Sequence, residues 1–484
     1  MSYWKEDGLD PENWDDIKKI GMQIIGDMTD YLATIPSSKT FFPLGRKDYQ
    51  ALQQMMPEEG ITIEECYKEV LDKIINKSAS MNLHPGFWGW AMGGGSPVGF
   101  LAKIIEAGLN LNVIGGMQIS SLVEEQVISW LKELFGFVDS ASGILTSGCS
   151  EANLIAMTLA RNSVNPDRII DAGIAEYGQR IVMYISEEGH ISLLKAAKII
   201  GLGDQNIRII PVNDNFEMDI AALCSEIATD YASGKIPTAI LANLGTVNTG
   251  AIDDLEELIF IAKKENLWLH VDGAFGAIAL LTKEYQKLWK MIAQVDSLAF
   301  DLHKWMGIPY SCGCLLTNHA ELHFKSFRCE SDYLKHDLHW TSDYTISLSR
   351  SFSALSVWMV LKTYGINRLI KCVEKNIQHA RYLGSKIKDS PELELLAPVS
   401  MNVVCFRYQR KGVQNVIIDK MNQVIIAELT MGGTFLVSAT KLGESLAIRV
   451  CFLNYRSTFE QIEEFITCIL QIGRSFNTVN FLKS

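Results

Sequence analysis

The sequence predicts an α/β protein. A large domain holds a mostly parallel sheet, a helical segment precedes it, and a small α+β domain follows. Three observations carry that prediction. From Gly143 onward, short apolar runs alternate with helical stretches, as a parallel sheet covered on both faces requires. Before Gly143, apolar residues recur at helical spacing. After about Asn376, helices and strands mix without that alternation. Hydrophobic residues make up 48% of the 484, enough for large cores and too many for a disordered or fibrous chain.

The expected divisions are 1–85, 86–375 and 376–484. In the first, Asp10-Pro11-Glu12 predicts a helix start, with Asp10 as N-cap and Pro11 at the first helical position. Trp14, Ile17, Gly21, Ile24, Ile25, Met28, Tyr31, Leu32 and Ile35 then form an apolar face that must pack on something. Thr62 to Glu65 predicts a capping box opening a second helix, and Ser121 to Glu124 predicts another. Between them, NLHPGFWGWAMGGGSP (residues 82–97) reads as a shaped loop of glycines and large aromatics, without lysine or arginine.

In the large domain, GILTSG precedes SEANLIAMTLARN, IVMYIS precedes ISLLKAAKIIG, and IRIIPV precedes MDIAALCSEIATDYA. TAILANLGT, WLHVDGAF and SLAFD are the next strands, the last running into DLHKW. The small domain reads as helix IQHARYLGSKIKD, strands MNVVCFRY and LAIRVCFLN, and helix FEQIEEFITCILQIG.

Ligands in open α/β sheets gather at the carboxyl ends of the strands. Ser147 to Ser150, His190, Thr246, Asp272 and Lys304 all fall there. The backbone of Gly148, Cys149 and Ser150, with the Ser150 hydroxyl, suits either a phosphate cradle or a plain glycine turn with a serine cap. Cys149 has no evident base beside it and reads as a packing residue rather than a nucleophile. Asp272 needs a partner, which is a protonated ring nitrogen, a salt bridge or a helix cap. His190 either stacks on a planar ligand or is structural. Lys304, between His303 and Trp305, is costly in a dry interior unless paired, deprotonated or covalently used.

The remaining totals exclude other classes. A formal charge of −12 argues against nucleic acid or an anionic membrane as partner. The N-terminus lacks the apolar core of a signal peptide, and no apolar run is long enough to span a bilayer. Ten cysteines without a C-x-x-C pair predict free thiols in a reducing cytoplasm. His319 with His323 and His336 with His339 have helical spacing, but no carboxylate or thiolate pattern accompanies them, so no metal is predicted.

The order of these pieces, together with HVDGAFGA, DLHKW, DYLKHDLHW and RSFSALSVWMVLKTYG, resembles the group II pyridoxal 5′-phosphate (PLP)-dependent amino-acid decarboxylases, the family of the aromatic-L-amino-acid and glutamate enzymes. The resemblance implies the fold type I of PLP-dependent transferases and a homodimer clasped by the N-terminal helices. It also assigns roles. Lys304 holds PLP covalently, Asp272 pairs with the ring nitrogen, His190 stacks on the ring, and His303 contacts cofactor or substrate. Gly148, Cys149 and Ser150 bind phosphate, with Thr246 nearby. Tyr333 matches the tyrosine of a mobile loop that protonates the substrate carbon after CO₂ leaves.

Asp301 stands where the family often has an asparagine on the phosphate, and Val247 where a second threonine is common. Ala91 to Gly95 replaces bulkier pocket residues, and Gly93 to Gly95 is expected to leave room for a group the size of indole. With Phe87, Trp88, Trp90 and Met92 it favours an aromatic over an acidic substrate. The rival readings are an O₂-consuming aldehyde synthase and a decarboxylase of acidic amino acids. Whether Arg449 or Arg456 reaches the pocket is left open by the sequence.

Overall fold

The computed structural model describes residue 5 and residues 8–177, 179–329 and 340–476. The main sheet has seven strands: β1 (Ser142–Thr146), β2 (Ile181–Ser186), β3 (Ile207–Ile210), β4 (Ile236–Asn243), β5 (Trp268–Asp272), β6 (Ser297–Asp301) and β7 (Gly313–Thr317). Their spatial order is β1-β7-β6-β5-β4-β2-β3. Only β7 is antiparallel to its neighbours, β6 and β1. The other pairings are parallel, so the carboxyl ends of β1, β2, β4, β5 and β6 share one edge.

Each strand of β2, β5, β6 and β7 is buried along its whole length, which is why these runs read as continuously apolar. The period of two then sorts side chains between two cores. Leu269, Val271, Leu298 and Phe300 face one, with Leu255 and Leu258 of helix Leu255–Glu265. Trp268 and Ala299 face the other, with Ile155 and Ala156 of helix Cys149–Ser163. His270, Asp272, Ser297 and Asp301 share that second face, so two strands present a polar stripe to helix Cys149–Ser163.

A four-stranded antiparallel sheet follows: β8 (Leu393–Leu395), β9 (Val403–Tyr408), β10 (Ser438–Leu442) and β11 (Ser445–Cys451), in the order β10-β11-β9-β8. Helix Ile366–Asp389 starts well before the expected IQHARYLGSKIKD and runs unbroken through residue 376. Val373 and Ile377 pack in the main core, while Ala380, Leu383 and Ile387 pack in the core of the small sheet. One helix therefore ties the two sheets together.

Two predicted helix starts shift. The first helix is Trp14–Thr34, not a helix from Pro11, because the Asn13 side chain takes the Asp15 N–H and caps it. The helix expected from Ser121 is Ile119–Phe135, with Gln118 at its N-cap. Glu124 does not serve a capping box. It turns inward to a buried ion pair with Arg350 at 2.5 Å. A guanidinium in the interior outcompetes a local backbone N–H for that carboxylate. The Thr62 box forms as expected: Thr62 Oγ1 accepts the Glu65 N–H, and Glu65 accepts the Thr62 N–H.

The apolar face of helix Trp14–Thr34 is left largely open. Ile20 is its only buried residue, and Trp14 and Met22 are 61% and 67% exposed.

Candidate active site

The predicted residues, Tyr333 apart, converge on one cavity of about 540 Å³ at the carboxyl edge of the main sheet. Its walls include Gly148, Cys149, Ser150, His190, Thr246, Asp272, Asp301, His303 and Lys304. Topology explains the convergence. β1, β2, β4, β5 and β6 end on the same edge, and each of these residues lies at or just beyond a strand end.

β6 ends at Asp301, and helix Leu302–Trp305 carries His303 and Lys304 into the cavity. Lys304 Nζ lies 3.2 Å from Asp301 Oδ2. Burial pulls its pKa down, but the Asp301 and Asp272 carboxylates outweigh that and leave it raised. The free amine is thus a paired ammonium, which is how the interior tolerates it. Asp301 Oδ1 accepts the Cys149 N–H at 2.6 Å, so this carboxylate already sits at the start of helix Cys149–Ser163.

Asp272 ends β5 and is 6% exposed. It accepts from Asn153 Nδ2 (2.8 Å), the Ala274 N–H (3.1 Å) and the Cys149 thiol (3.3 Å). Its three hydrogen-bond donors are neutral, so they stabilise a carboxylate without consuming its charge. Cys149 is therefore a donor to Asp272. Burial and the Asp272 and Asp301 charges push its thiol well above the ordinary range, which excludes it as a nucleophile at neutral pH.

His190 caps helix Ile191–Ile199 and presents its ring to the cavity. Nδ1 is 2.7 Å from Ser192 Oγ. Burial lowers its pKa against the opposing pull of Asp272, so the imidazole is neutral. His303 turns Nδ1 to the backbone of Cys312 (2.9 Å to O) and lies 4.4 Å, centroid to centroid, from the Tyr310 ring. Burial lowers this histidine as well.

The turn at Gly148 to Ser150 keeps free donors. The Ser150 N–H and hydroxyl have no hydrogen-bond partner among the described residues, and Ser150 faces the cavity. A methyl on Gly313 would lie 2.6 Å from the Gly148 carbonyl carbon, so β7 packs directly under this turn. Thr246 borders the cavity, but its hydroxyl is engaged with Thr249 Oγ1 (2.9 Å) and the Ala251 N–H (3.1 Å). An amine, a carboxylate and open N–H donors around one cavity fit a pyridine ring with an aldehyde and a phosphate.

The loop 82–97 departs from expectation. Gly93 does not open space for a substrate: a methyl there would meet the carbonyl oxygens of His303 and Lys304 at 2.1 Å. Its hydrogen lets two backbones touch, which fixes the loop behind Lys304. Trp88 is fully buried in the core of the small sheet, with Phe435 and Phe452. Trp90, Ala91 and Met92 do line the cavity, and Tyr310, which the sequence reading missed, joins them.

Arg449 is 3% exposed and bonds the carbonyls of Val247 (2.7 Å) and Trp90 (3.0 Å). It clamps two cavity walls together. Its Nη2 has no partner among the described residues, and neither does Arg456 Nη1. Tyr333, His336 and His339 lie outside the described residues. His319 pairs with Asp296 at 2.6 Å, and His323 bonds Ser142 Oγ and the Tyr344 carbonyl.

Asn153, Ser192 and His270 also went unnoticed in the sequence. The only available signal was position: Asn153 lies one helical turn after Cys149, and His270 two residues before Asp272 on the same face of β5.

Residues 47–409 match the family model described as the pyridoxal-dependent decarboxylase conserved domain. The chain is 30% identical over 465 residues to an aromatic-L-amino-acid decarboxylase of Bacillus atrophaeus, covering 93% of each chain. It is 27% identical over 432 residues to an L-2,4-diaminobutyrate decarboxylase of Acinetobacter baumannii, covering 85% of this chain and 84% of that one. The crystal structure of Oryza sativa TDC with PLP and tryptamine superposes with a TM-score of 0.89 at 20% identity, covering 96% of this chain and 99% of that one.

Proposed function

The chain belongs to the pyridoxal-dependent decarboxylases and is a PLP-dependent amino-acid decarboxylase, and from that premise we propose that it converts an aromatic L-amino acid to the corresponding amine and CO₂. One observation carries the choice of substrate. Among the described residues, the cavity wall holds no lysine or arginine besides Lys304, while Trp90, Met92, Phe275 and Tyr310 contribute apolar surface. An acidic side chain would find no countercharge there, and an aryl ring would find a matching wall.

PLP, when bound, is an electron sink for the pair that departing CO₂ leaves on the substrate carbon. The chain's residues do the rest. Lys304 is the amine that holds the cofactor covalently. Asp272 is the carboxylate that would pair with the ring nitrogen and keep it protonated. His190, neutral and flat, would stack on the ring, and His303 would support the substrate side. Ser150 with the Gly148 N–H would hold the phosphate and Thr246 would border it, whereas the Cys149 N–H, expected to join them, is taken by Asp301 Oδ1. Asp301 stays on the Cys149 N–H, and pairs with Lys304 when no cofactor is there. Tyr333 delivers the proton to the substrate carbon, which directs the reaction to amine rather than to aldehyde.

The working assembly is a homodimer, for which the open face of helix Trp14–Thr34 is the support. The ten cysteines are all unpaired, which supports a reducing, cytoplasmic setting. The divisions 1–85, 86–375 and 376–484 are the proposed functional units, and the second boundary falls inside helix Ile366–Asp389.

The test is a competition assay: holoenzyme with an equimolar mixture of L-amino acids, and products resolved by mass spectrometry alongside a peroxide measurement. Aryl-ethylamines without peroxide are expected. A preference for glutamate or diaminobutyrate would overturn the substrate class, and aldehyde with matching peroxide would favour the aldehyde-synthase reading.

A further inference from the structure

We propose that Asn153 is a positioning residue that orients the ring-nitrogen carboxylate, Asp272, and the stacking imidazole, His190, through one amide. The inference rests on the roles given above to those two side chains. Its basis is a run of hydrogen bonds in which every proton can be placed.

The run starts at Trp268. Its indole N–H can only donate, and it lies 2.9 Å from Ser297 Oγ. The Ser297 hydroxyl proton is then free to point at His270 Nδ1, also at 2.9 Å. His270 is fully buried and its pKa is pushed down to about 4, chiefly by burial, so the ring is neutral and has one proton to give. With Nδ1 accepting, that proton is on Nε2 and goes to Asn153 Oδ1 at 3.0 Å. The amide orientation follows twice over. Its oxygen receives His270, and the reverse orientation would set an oxygen against a carboxylate.

The two amide protons of Asn153 therefore divide. One goes to Asp272 Oδ2 at 2.8 Å, the other to Ser192 Oγ at 3.1 Å. Ser192, having accepted, donates its own proton to His190 Nδ1 at 2.7 Å, and the Ser192 N–H points at the same atom. His190 is left as the tautomer with its proton on Nε2. One side chain on helix Cys149–Ser163 thus gives Asp272 a donor that cannot take its charge, and aims the Ser192 hydroxyl that joins the Ser192 N–H in holding His190 Nδ1 as an acceptor. Asn153, Ser192 and His270 are all buried, so each bond of the run is costly to leave unmade.

Removing the amide leaves Asp272 with one donor fewer and Ser192 free to rotate. A hydrogen bond to a charged group corresponds to about a 10- to 100-fold change in an equilibrium constant. Asn153→Ala is expected to raise the dissociation constant for PLP by that factor. It is also expected to shift the ¹⁵N resonances of His190 in histidine-labelled protein from a single tautomer to a mixture. Ser192→Ala separates the branches: the His190 resonances shift, while PLP affinity stays within about threefold, since the Asn153–Asp272 bond survives. Asp272→Ala is the control for the site itself.

If Asp272→Ala weakens PLP binding and Asn153→Ala does not, the positioning role is wrong and the site reading stands. If Asp272→Ala has no effect on PLP binding, the site reading falls first. Should Asn153→Ala fail to fold, Ser192→Ala still decides: unchanged His190 resonances in that variant overturn the relay.

Discussion

Three buried histidines set the acid limit of this protein. His270, His323 and His379 are each fully buried, and burial lowers each to a pKa of about 4 from an ordinary 6.5. The unfolded chain then binds protons between those values that the folded chain does not. Stability is therefore full above about pH 6.5 and is lost as pH falls toward 4, by on the order of 3 kcal/mol for each histidine. His379 is the cleanest probe, since neither ring nitrogen has a hydrogen-bond partner among the described residues and it packs against Phe452 and Phe459. We expect the urea midpoint to fall between pH 7 and pH 4.5, and His379→Phe to flatten that slope. A midpoint that rises on acidification would contradict the assignment. At this scale the sequence was legible where a residue is expensive: Lys304 and Asp272 announced themselves by charge in apolar runs. Asn153 did not, because an asparagine inside a helix has no signature until its neighbours across the sheet are known.

Elements were legible where one periodicity dominated. The runs behind β2, β4, β5 and β6 are buried on both faces, and their apolar continuity gave both their type and their order. Helix starts were less legible, since a capping signal is local and its carboxylate can be claimed from far away. Glu124 is the case in point. It lies 2.5 Å from Arg350, whose Nη2 also donates to the Leu145 carbonyl at 2.7 Å, so helix Ile119–Phe135, β1 and the segment at residue 350 meet at one buried pair. Arg350→Ala would strand a buried carboxylate and is expected to cost about 3–5 kcal/mol. Thermal unfolding of that variant checks it: a melting temperature within a degree of the parent would show that Glu124 finds water instead. Gly93 makes the complementary point. Its place in a glycine run suggested open space, whereas only the folded chain reveals two carbonyl oxygens against it.

The whole molecule was legible as a class and incomplete as an object. Alternation, strand-end residues and motif order together gave the α/β fold and the cavity where the candidate residues meet. What covers helix Trp14–Thr34 is a matter of assembly, for which a single chain gives only the open face. Burying that face in a two-fold contact predicts a dimer at assay concentrations, measured by sedimentation velocity. Met22→Lys with Ile25→Lys is expected to shift the protein toward monomer with loss of activity, and a fully active monomer would refute the clasp. The central claim is narrower: the cavity around Lys304 is where the cofactor is held and the chemistry occurs. Borohydride reduction of the yellow holoenzyme, followed by peptide mapping, tests it most directly. The account predicts loss of colour and one phosphopyridoxyl group per chain, on the peptide carrying Lys304. Label on another lysine, or bleaching without label at Lys304, would contradict it.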